Sequence, residues 1–168
     1  MVERIRPAET GDLNRLVEIY NHYITETHVT FDTIPFAVGE RTQWFTQFSE
    51  SGPLRLLVTE IDGVIAGYAS SSPFKPKPGY STSVETSIYL DPDYIGQGLG
   101  LPLYGRLLEE LCGEDSVHRA YGGVALPNPA SVALHEQLGF VQVATYHEVG
   151  YKLGRFWDVS WYERDLST

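Results

Sequence analysis

Residues 94–111, YIGQGLGLPLYGRLLEEL, place glycines at 96, 98 and 100 and then an apolar stripe at helical spacing: Leu103, Tyr104, Leu107, Leu108 and Leu111. Pro102 falls where a first-turn proline is tolerated. Just upstream, VETSIYL (84–90) alternates Val84, Thr86, Ile88 and Leu90 against Glu85, Ser87 and Tyr89, a strand pattern closed by Asp91-Pro92-Asp93. A strand thus feeds a glycine loop that feeds a helix. The start of a helix leaves about four N–H groups unpaired and carries roughly half a positive charge, and glycines let a ligand approach that backbone closely. Such a loop can hold an anion. It is not the dinucleotide fingerprint, because Leu101 or Leu103 stands where the third glycine belongs, and it lacks the lysine of a P-loop. Three glycines alone fit an anion cradle and a plain connection equally well.

The rest of the chain decides what surrounds this unit. ERIRP reads as a short strand, after which Thr10 or Asp12 can cap a helix whose stripe is Leu13, Leu16, Val17, Tyr20 and Ile24. Residues 40–48 read as a second helix with Trp44, Phe45 and Phe48 on its apolar side, ended by Ser51-Gly52-Pro53. LRLLVTEI and VIAGYASS are strands joined by Asp62-Gly63, a two-residue hairpin signal. After the glycine-loop helix come a strand, RAYGGVAL, and a helix opened by Asn128-Pro129 and closed by Gly139. FVQVATYHEV and WDVSWYERDL are the last strands. The expected product is one α/β (α+β) domain over residues 1–168, with a mixed, largely antiparallel sheet of about seven strands flanked by about four helices. A chain of 168 residues buries on the order of 70% of its unfolded surface, enough for a core.

A formal net charge of -10 disfavours nucleic acid as a partner, so an anionic ligand must be held locally. No apolar run approaches the ~20 residues of a membrane span, and MVERIRPAET lacks the apolar stretch of a signal peptide, so the expected location is cytoplasmic. Cys112 is the only cysteine and follows Leu108 and Leu111 on a helix, which reads as core packing. No metal is expected: HEQLG lacks the second histidine of a zinc helix, and His22, His28, His118 and His147 form no ligand spacing.

Taken together, IGQGLG (95–100) and NPASVALHEQLGF (128–140) resemble the GNAT acetyltransferase superfamily, whose Q/R-x-x-G-x-G/A loop binds the pyrophosphate of coenzyme A and whose later N-x-x-S/A-x-x-L-Y/H-E-x-x-G-F helix flanks the pantetheine. YNHYITETHVTF (20–31), PFKPKPGYSTSVETSIY (73–89) and VGYKLGRFWDV (149–159) narrow the resemblance to the phosphinothricin acetyltransferase group. It implies the GNAT fold, acetyl-CoA as co-substrate and a small-molecule amine as acceptor, in a homodimer whose interface exposed C-terminal aromatics such as Trp161 would suit. Phosphinothricin, methionine sulfone and methionine sulfoximine are the acceptors it suggests, and detoxification the outcome. Alternatives are a regulatory module that only binds coenzyme A, and an enzyme acting on a protein N-terminus or a polyamine.

Transfer of acetyl from a thioester to an amine needs a base for the amine, a donor for the oxyanion and a proton for the departing thiolate. The resemblance carries those roles onto Glu85 as base and His135 as acid. The coenzyme would lie against Ile88, Tyr89, Leu90, Ile95, Gly96, Gln97, Gly98, Leu99, Gly100, Leu101 and Asn128, with a backbone N–H between Ile88 and Leu90 on the oxyanion. Phe31, Lys75, Pro76 and Lys77 are the expected acceptor contacts; Tyr23, Phe74 and Tyr80 fit that pocket or the core equally. Ile95 stands where the superfamily loop has Gln or Arg, and Phe156 where the group carries Trp.

Overall fold

In a computed structural model that describes residues 3–167, one sheet of seven strands, ordered β1-β2-β3-β4-β5-β7-β6, carries every helix. The strands are β1 (Glu3–Pro7), β2 (Leu56–Ile61), β3 (Val64–Pro73), β4 (Ser83–Leu90), β5 (Arg119–Ala125), β6 (Val141–Lys152) and β7 (Arg155–Asp165); the helices are α1 (Leu13–Glu26), α2 (Thr42–Phe45), α3 (Gly100–Cys112) and α4 (Pro129–Gln137). All neighbours pair antiparallel except β4 and β5, which run parallel. The mixed, largely antiparallel sheet and its four helices match the architecture expected from the sequence.

Helix α3 forms where the stripe asked for it. Leu103, Tyr104, Leu107, Leu108 and Leu111 are all fully buried, against Leu57, Ala69, Val84, Ala120 and Val124 of the sheet. At about 1.5–3 kcal/mol per large apolar side chain, the four leucines alone contribute about 6–12 kcal/mol of transfer free energy. Cys112 packs at the edge of the same cluster. On α1 the buried set is Leu13, Leu16, Val17, Ile19 and Ile24. Leu13, Leu16, Val17 and Ile24 stand in the stripe as expected, while Ile19 takes the core place expected for Tyr20, which packs at its margin.

Asp62-Gly63 makes the expected hairpin, both residues at positive φ, and Leu153-Gly154 joins β6 to β7 with the same signs. The helix expected at 40–48 is shorter: a 3-10 turn, Val38–Arg41, runs into the single α turn of α2. There the Arg41 guanidinium lies 3.9 Å from the centroid of the Trp44 ring and about 5 Å from those of Tyr20 and Phe36. Cation–π contact and burial of Trp44, Phe45 and Phe48 beside Val58 and Tyr68 fix this segment without further helical turns.

What positions the site is a short ladder. β4 and β5 pair at only three rungs, ending at Glu85↔Tyr121. Beyond it β4 stays on β3 as far as Gly67↔Leu90, and β5 stays on β7 as far as Ala125↔Val159, so the sheet opens into a V with two unpaired inner edges.

Candidate active site

The N–H of Asp91 donates to Ala66 O at 2.8 Å. Alternation along β4 then turns the N–H of Ser87 and Tyr89 toward β3, and those of Thr86, Ile88 and Leu90 into the V. Of the amides expected to meet an oxyanion, Ile88 and Leu90 face the opening, whereas Tyr89 is committed to the sheet. Leu90 O accepts a hydrogen bond from the Tyr23 hydroxyl.

Two chambers open off the V. One, about 340 Å³, is lined by Thr86 to Leu90, Ile95, Gly123 to Ala125, Asn128, Ser131, Leu134 and His135. The other, about 460 Å³, is lined by Phe31, Glu85, Tyr146, Trp161 and the walls the two share: Val29, Ser87, Tyr89, Gly123 and Ala125. Each volume is in the range that takes a small ligand. The first has unpaired amides along one side and a helix start at its end, the donor set suited to an extended arm with an anionic tail. The second has one carboxylate among aromatic rings.

The anionic tail has a fitting cradle. Gly96 and Gly98 stand at φ +80 and +82, with nothing within 4 Å of where a Cβ would be, immediately before α3. Ile95 is exposed and reaches the first chamber. Gln97 turns its side-chain amide to Asp93 O. Two expected contacts do not stand as side chains: Leu99 is buried against Ile61 and Ala66, and Leu101 borders a separate hollow with Ile5 and Leu138. At those positions only the backbone is left for a ligand. Asn128 is the cap of α4, its carbonyl oxygen accepting from Ser131 N–H at 3.1 Å, and it also lines the first chamber.

Glu85 lines the second chamber, and its carboxylate meets no hydrogen-bond or ion-pair partner among the described residues. Burial alone holds its pKa above the usual carboxylate range. His135 differs from the solvent-facing alternative for a helical histidine: it is 4% exposed, its Nδ1 lies 2.7 Å from Ser131 O and its Nε2 3.2 Å from Tyr104 Oη. Burial lowers its pKa, outweighing the hydrogen bond to Ser131 O, which raises it. A free-standing imidazolium aimed at a thiolate is therefore not what the fold builds; both ring nitrogens are engaged inside the protein.

Phe31 lines the second chamber, its ring seated over Gly150, at which a Cβ would come within 2.2 Å of it. Gly150→Ala is accordingly expected to push Phe31 into the chamber and raise KM for the amine several-fold with KM for acetyl-CoA unchanged; steady-state kinetics checks it. Lys75 borders a hollow beside Glu85 and Trp161, its Nζ over the rings of Phe74 and Tyr80 at 5.3 and 5.6 Å. Pro76 and Lys77, expected with it, line neither chamber. They precede the 3-10 turn at Pro78–Tyr80, which carries the chain away.

Sequence reasoning missed Tyr146 and assigned Trp161 elsewhere. Trp161 is half-buried over Gly123, where a Cβ would stand 3.3 Å from the indole, and it walls the second chamber. The Gly122-Gly123 pair inside a strand was the available signal of a close approach. Lys152 was also missed. Its ammonium, 5% exposed, donates to Thr30 O (2.7 Å) and Tyr23 O (3.2 Å), pinning the segment that carries Val29 and Phe31 to β6. Burial lowers its pKa. Among the described residues no group of three His, Cys, Asp or Glu side chains is gathered as a metal site requires, and no helix is long and apolar enough to cross a membrane.

Comparison with known proteins converges on one chemistry. Residues 16–140 match the model of the Acetyltransferase (GNAT) family. A phosphinothricin N-acetyltransferase of Streptomyces coelicolor is 51% identical over 165 residues, covering 97% of this chain and 96% of that one. Among solved structures, yncA from Salmonella typhimurium with acetyl-CoA superposes with a TM-score of 0.92 at 33% identity, covering 100% of this chain and 96% of the other. A phosphinothricin acetyltransferase from Sinorhizobium meliloti in complex with acetyl-CoA gives 0.93 at 28% identity, covering 99% and 90%. The chain therefore belongs to the GNAT acetyltransferase family and is an acetyl-CoA-dependent N-acetyltransferase.

Proposed function

We propose that this enzyme moves the acetyl group of acetyl-CoA to the primary amine of a small amino-acid-like compound, of the phosphinothricin, methionine sulfone or methionine sulfoximine type, by direct transfer in a ternary complex. The observation that carries the reading is the pair of chambers sharing one wall, with unpaired amides on one side and an unpartnered, desolvated carboxylate on the other. Both substrates can be present at once. Cys112, in the core edge of α3, lines neither chamber, which leaves no thiol to carry the acetyl group covalently.

In this reading the cleft-facing amides of β4 and the glycine loop hold the pantetheine and pyrophosphate of the donor. Glu85 takes the proton of the bound ammonium, directly or through one water, and Ile88 and Leu90 N–H donate to the thioester carbonyl oxygen as charge develops there. Lys75, in the hollow it shares with Glu85, is the cation for the acceptor's acid group, with Phe31 closing the other side; Asn128 holds the start of α4 beside the donor.

Release of free thiol from acetyl-CoA, measured against a panel of amines with product mass, tests this. Turnover is expected with methionine sulfone, methionine sulfoximine or phosphinothricin. Turnover confined to polyamines or peptide N-termini overturns the acceptor class. A cytoplasmic homodimer that disarms such compounds completes the proposal. β6 is an edge strand on which Val141, Val143, Val149 and Tyr151 are exposed, an edge a second copy would cover. Light scattering is expected to give the mass of two chains; a monomer at tens of micromolar would refute the dimer.

A further inference from the structure

Residues 28–31 leave the end of α1 as a strap with no helix or strand of their own. Val29 lines both chambers and Phe31 the second, so the strap is a wall of the site. Side chains from elsewhere hold it. Lys152 Nζ donates to Thr30 O at 2.7 Å and to Tyr23 O at 3.2 Å. The Tyr20 hydroxyl shares a hydrogen bond with Thr30 Oγ1 at 2.8 Å, and Phe31 rests over Gly150. The His28 ring stacks on that of Trp157 at 4.1 Å between centroids, and its Nε2 lies 3.0 Å from Pro127 O. Trp157 Nε1 in turn donates to Lys152 O at 2.8 Å.

Of these anchors, the ammonium of Lys152 is the one placed to fix the distance across the second chamber. Thr30 stands between Val29 and Phe31, so holding its carbonyl holds the backbone that carries both. Lys152 and Thr30 are 5% and 8% exposed, which keeps water from competing for the bond, and a charged donor makes it about twice as strong as a neutral one. The second carbonyl belongs to the end of α1, where the Tyr23 hydroxyl donates to Leu90 O on β4. One ammonium therefore ties the strap to the strand that carries Glu85. The stack of His28 on Trp157 acts only at the start of the strap, and Tyr20 reaches the side chain of Thr30 rather than its backbone.

We propose that Lys152 is a positioning residue for the acceptor: by holding the Thr30 carbonyl against the end of α1, it keeps Val29 and Phe31 at the distance from Glu85 that the bound amine requires. Lys152 itself lines neither chamber, so it acts on the amine only through the strap. Its loss weakens the hold on the amine in ground state and transition state alike, which raises KM and leaves kcat. The inference rests on the second chamber being the acceptor's, as in the proposed function.

The test begins with Lys152→Met, which keeps the apolar stem and removes the donor. KM for methionine sulfone is expected to rise about tenfold, the scale of a lost hydrogen bond from a charged group, with kcat and KM for acetyl-CoA within twofold. In a Phe31→Ala background the same substitution is expected to raise that KM less than threefold, because the wall through which Lys152 acts is already gone. Lys152→Gln, which keeps a donor without the charge, is expected to lose about threefold, and it carries the same comparison should Lys152→Met not melt cooperatively. Hydrogen exchange in the free variant should quicken over residues 23–32 and stay as in wild type along β4 and β5. An unchanged KM for the amine, an equal rise in KM for acetyl-CoA, a threefold or larger rise for Lys152→Met in the Phe31→Ala background, or quickened exchange throughout the sheet each overturn the proposal. A wild-type enzyme that releases no thiol with any amine would instead overturn the acceptor reading, and the exchange pattern would still decide whether Lys152 holds the strap.

Discussion

Glu85→Gln is expected to lower kcat by about a hundredfold to ten-thousandfold, the scale of a positioned proton-transfer group. The amide keeps the shape of the side chain and loses only the basic oxygen, so the chamber between Phe31, Tyr146 and Trp161 is left as it was. KM for acetyl-CoA should not move, because Glu85 lines the second chamber, proposed for the acceptor, and not the first. Burial raises the pKa of Glu85, so the acid limb of the wild-type rate profile should lie above the usual carboxylate range, with activity lost as pH falls through it; in the variant that limb should vanish. The same shift has a stability sign. A carboxyl whose folded pKa is raised stabilises the fold below its unfolded pKa, and that contribution is lost as pH rises through the folded value. At neutral pH the wild type therefore carries a buried charge, and Glu85→Gln should melt at a higher temperature there while showing no such gain near pH 4. Turnover within threefold of wild type in a well-folded variant would remove Glu85 from the mechanism.

What the sequence made legible followed from local periods and caps. The stripe on α3, the Asp62-Gly63 hairpin and the Asn128 cap of α4 depend on neighbours within a few residues, and each stands as expected. The first chamber, proposed for the donor, was legible for the same reason, since one strand, one loop and two helix starts border it. At two of its expected contacts spacing does not encode where the side chain goes: Leu99 turns into the core and Leu101 to another face, leaving their backbone. The acceptor side depends on distant register. Trp161 reaches the chamber because it pairs with Gly123, and Tyr146 because it pairs with Val159 on the same side as Trp161, before the register shifts ahead of Gly150. Neither is visible in a single strand's alternation. His135 had a legible position but not a legible state, for its burial is set by Gly122 and Tyr104, far from it in sequence.

Replacing Gly96 and Gly98 together by valine is expected to weaken acetyl-CoA binding by roughly thirtyfold to a thousandfold. Both glycines stand at positive φ, where an L side chain costs about 1–2 kcal/mol per residue, so the pair costs about 2–4 kcal/mol in the conformation that presents the loop amides. Nothing lies within 4 Å of either Cβ position, so in the free protein the loop can relax to ordinary φ without a clash and fold stability should change little. The strain must then be restored when the coenzyme binds, which places the cost in Kd rather than in the melting temperature. The loop from Ile95 to Gly100 has no Lys or Arg to compensate, and the chain as a whole carries a formal charge of -10, so no general attraction for a diphosphate makes up the loss. Calorimetric titration with coenzyme A measures the shift directly. KM for the amine should stay within twofold, because the acceptor chamber shares no residue with the loop. A Kd within threefold of wild type would mean that the backbone before α3 does not grip the diphosphate, and the donor would have to be held by its pantetheine alone.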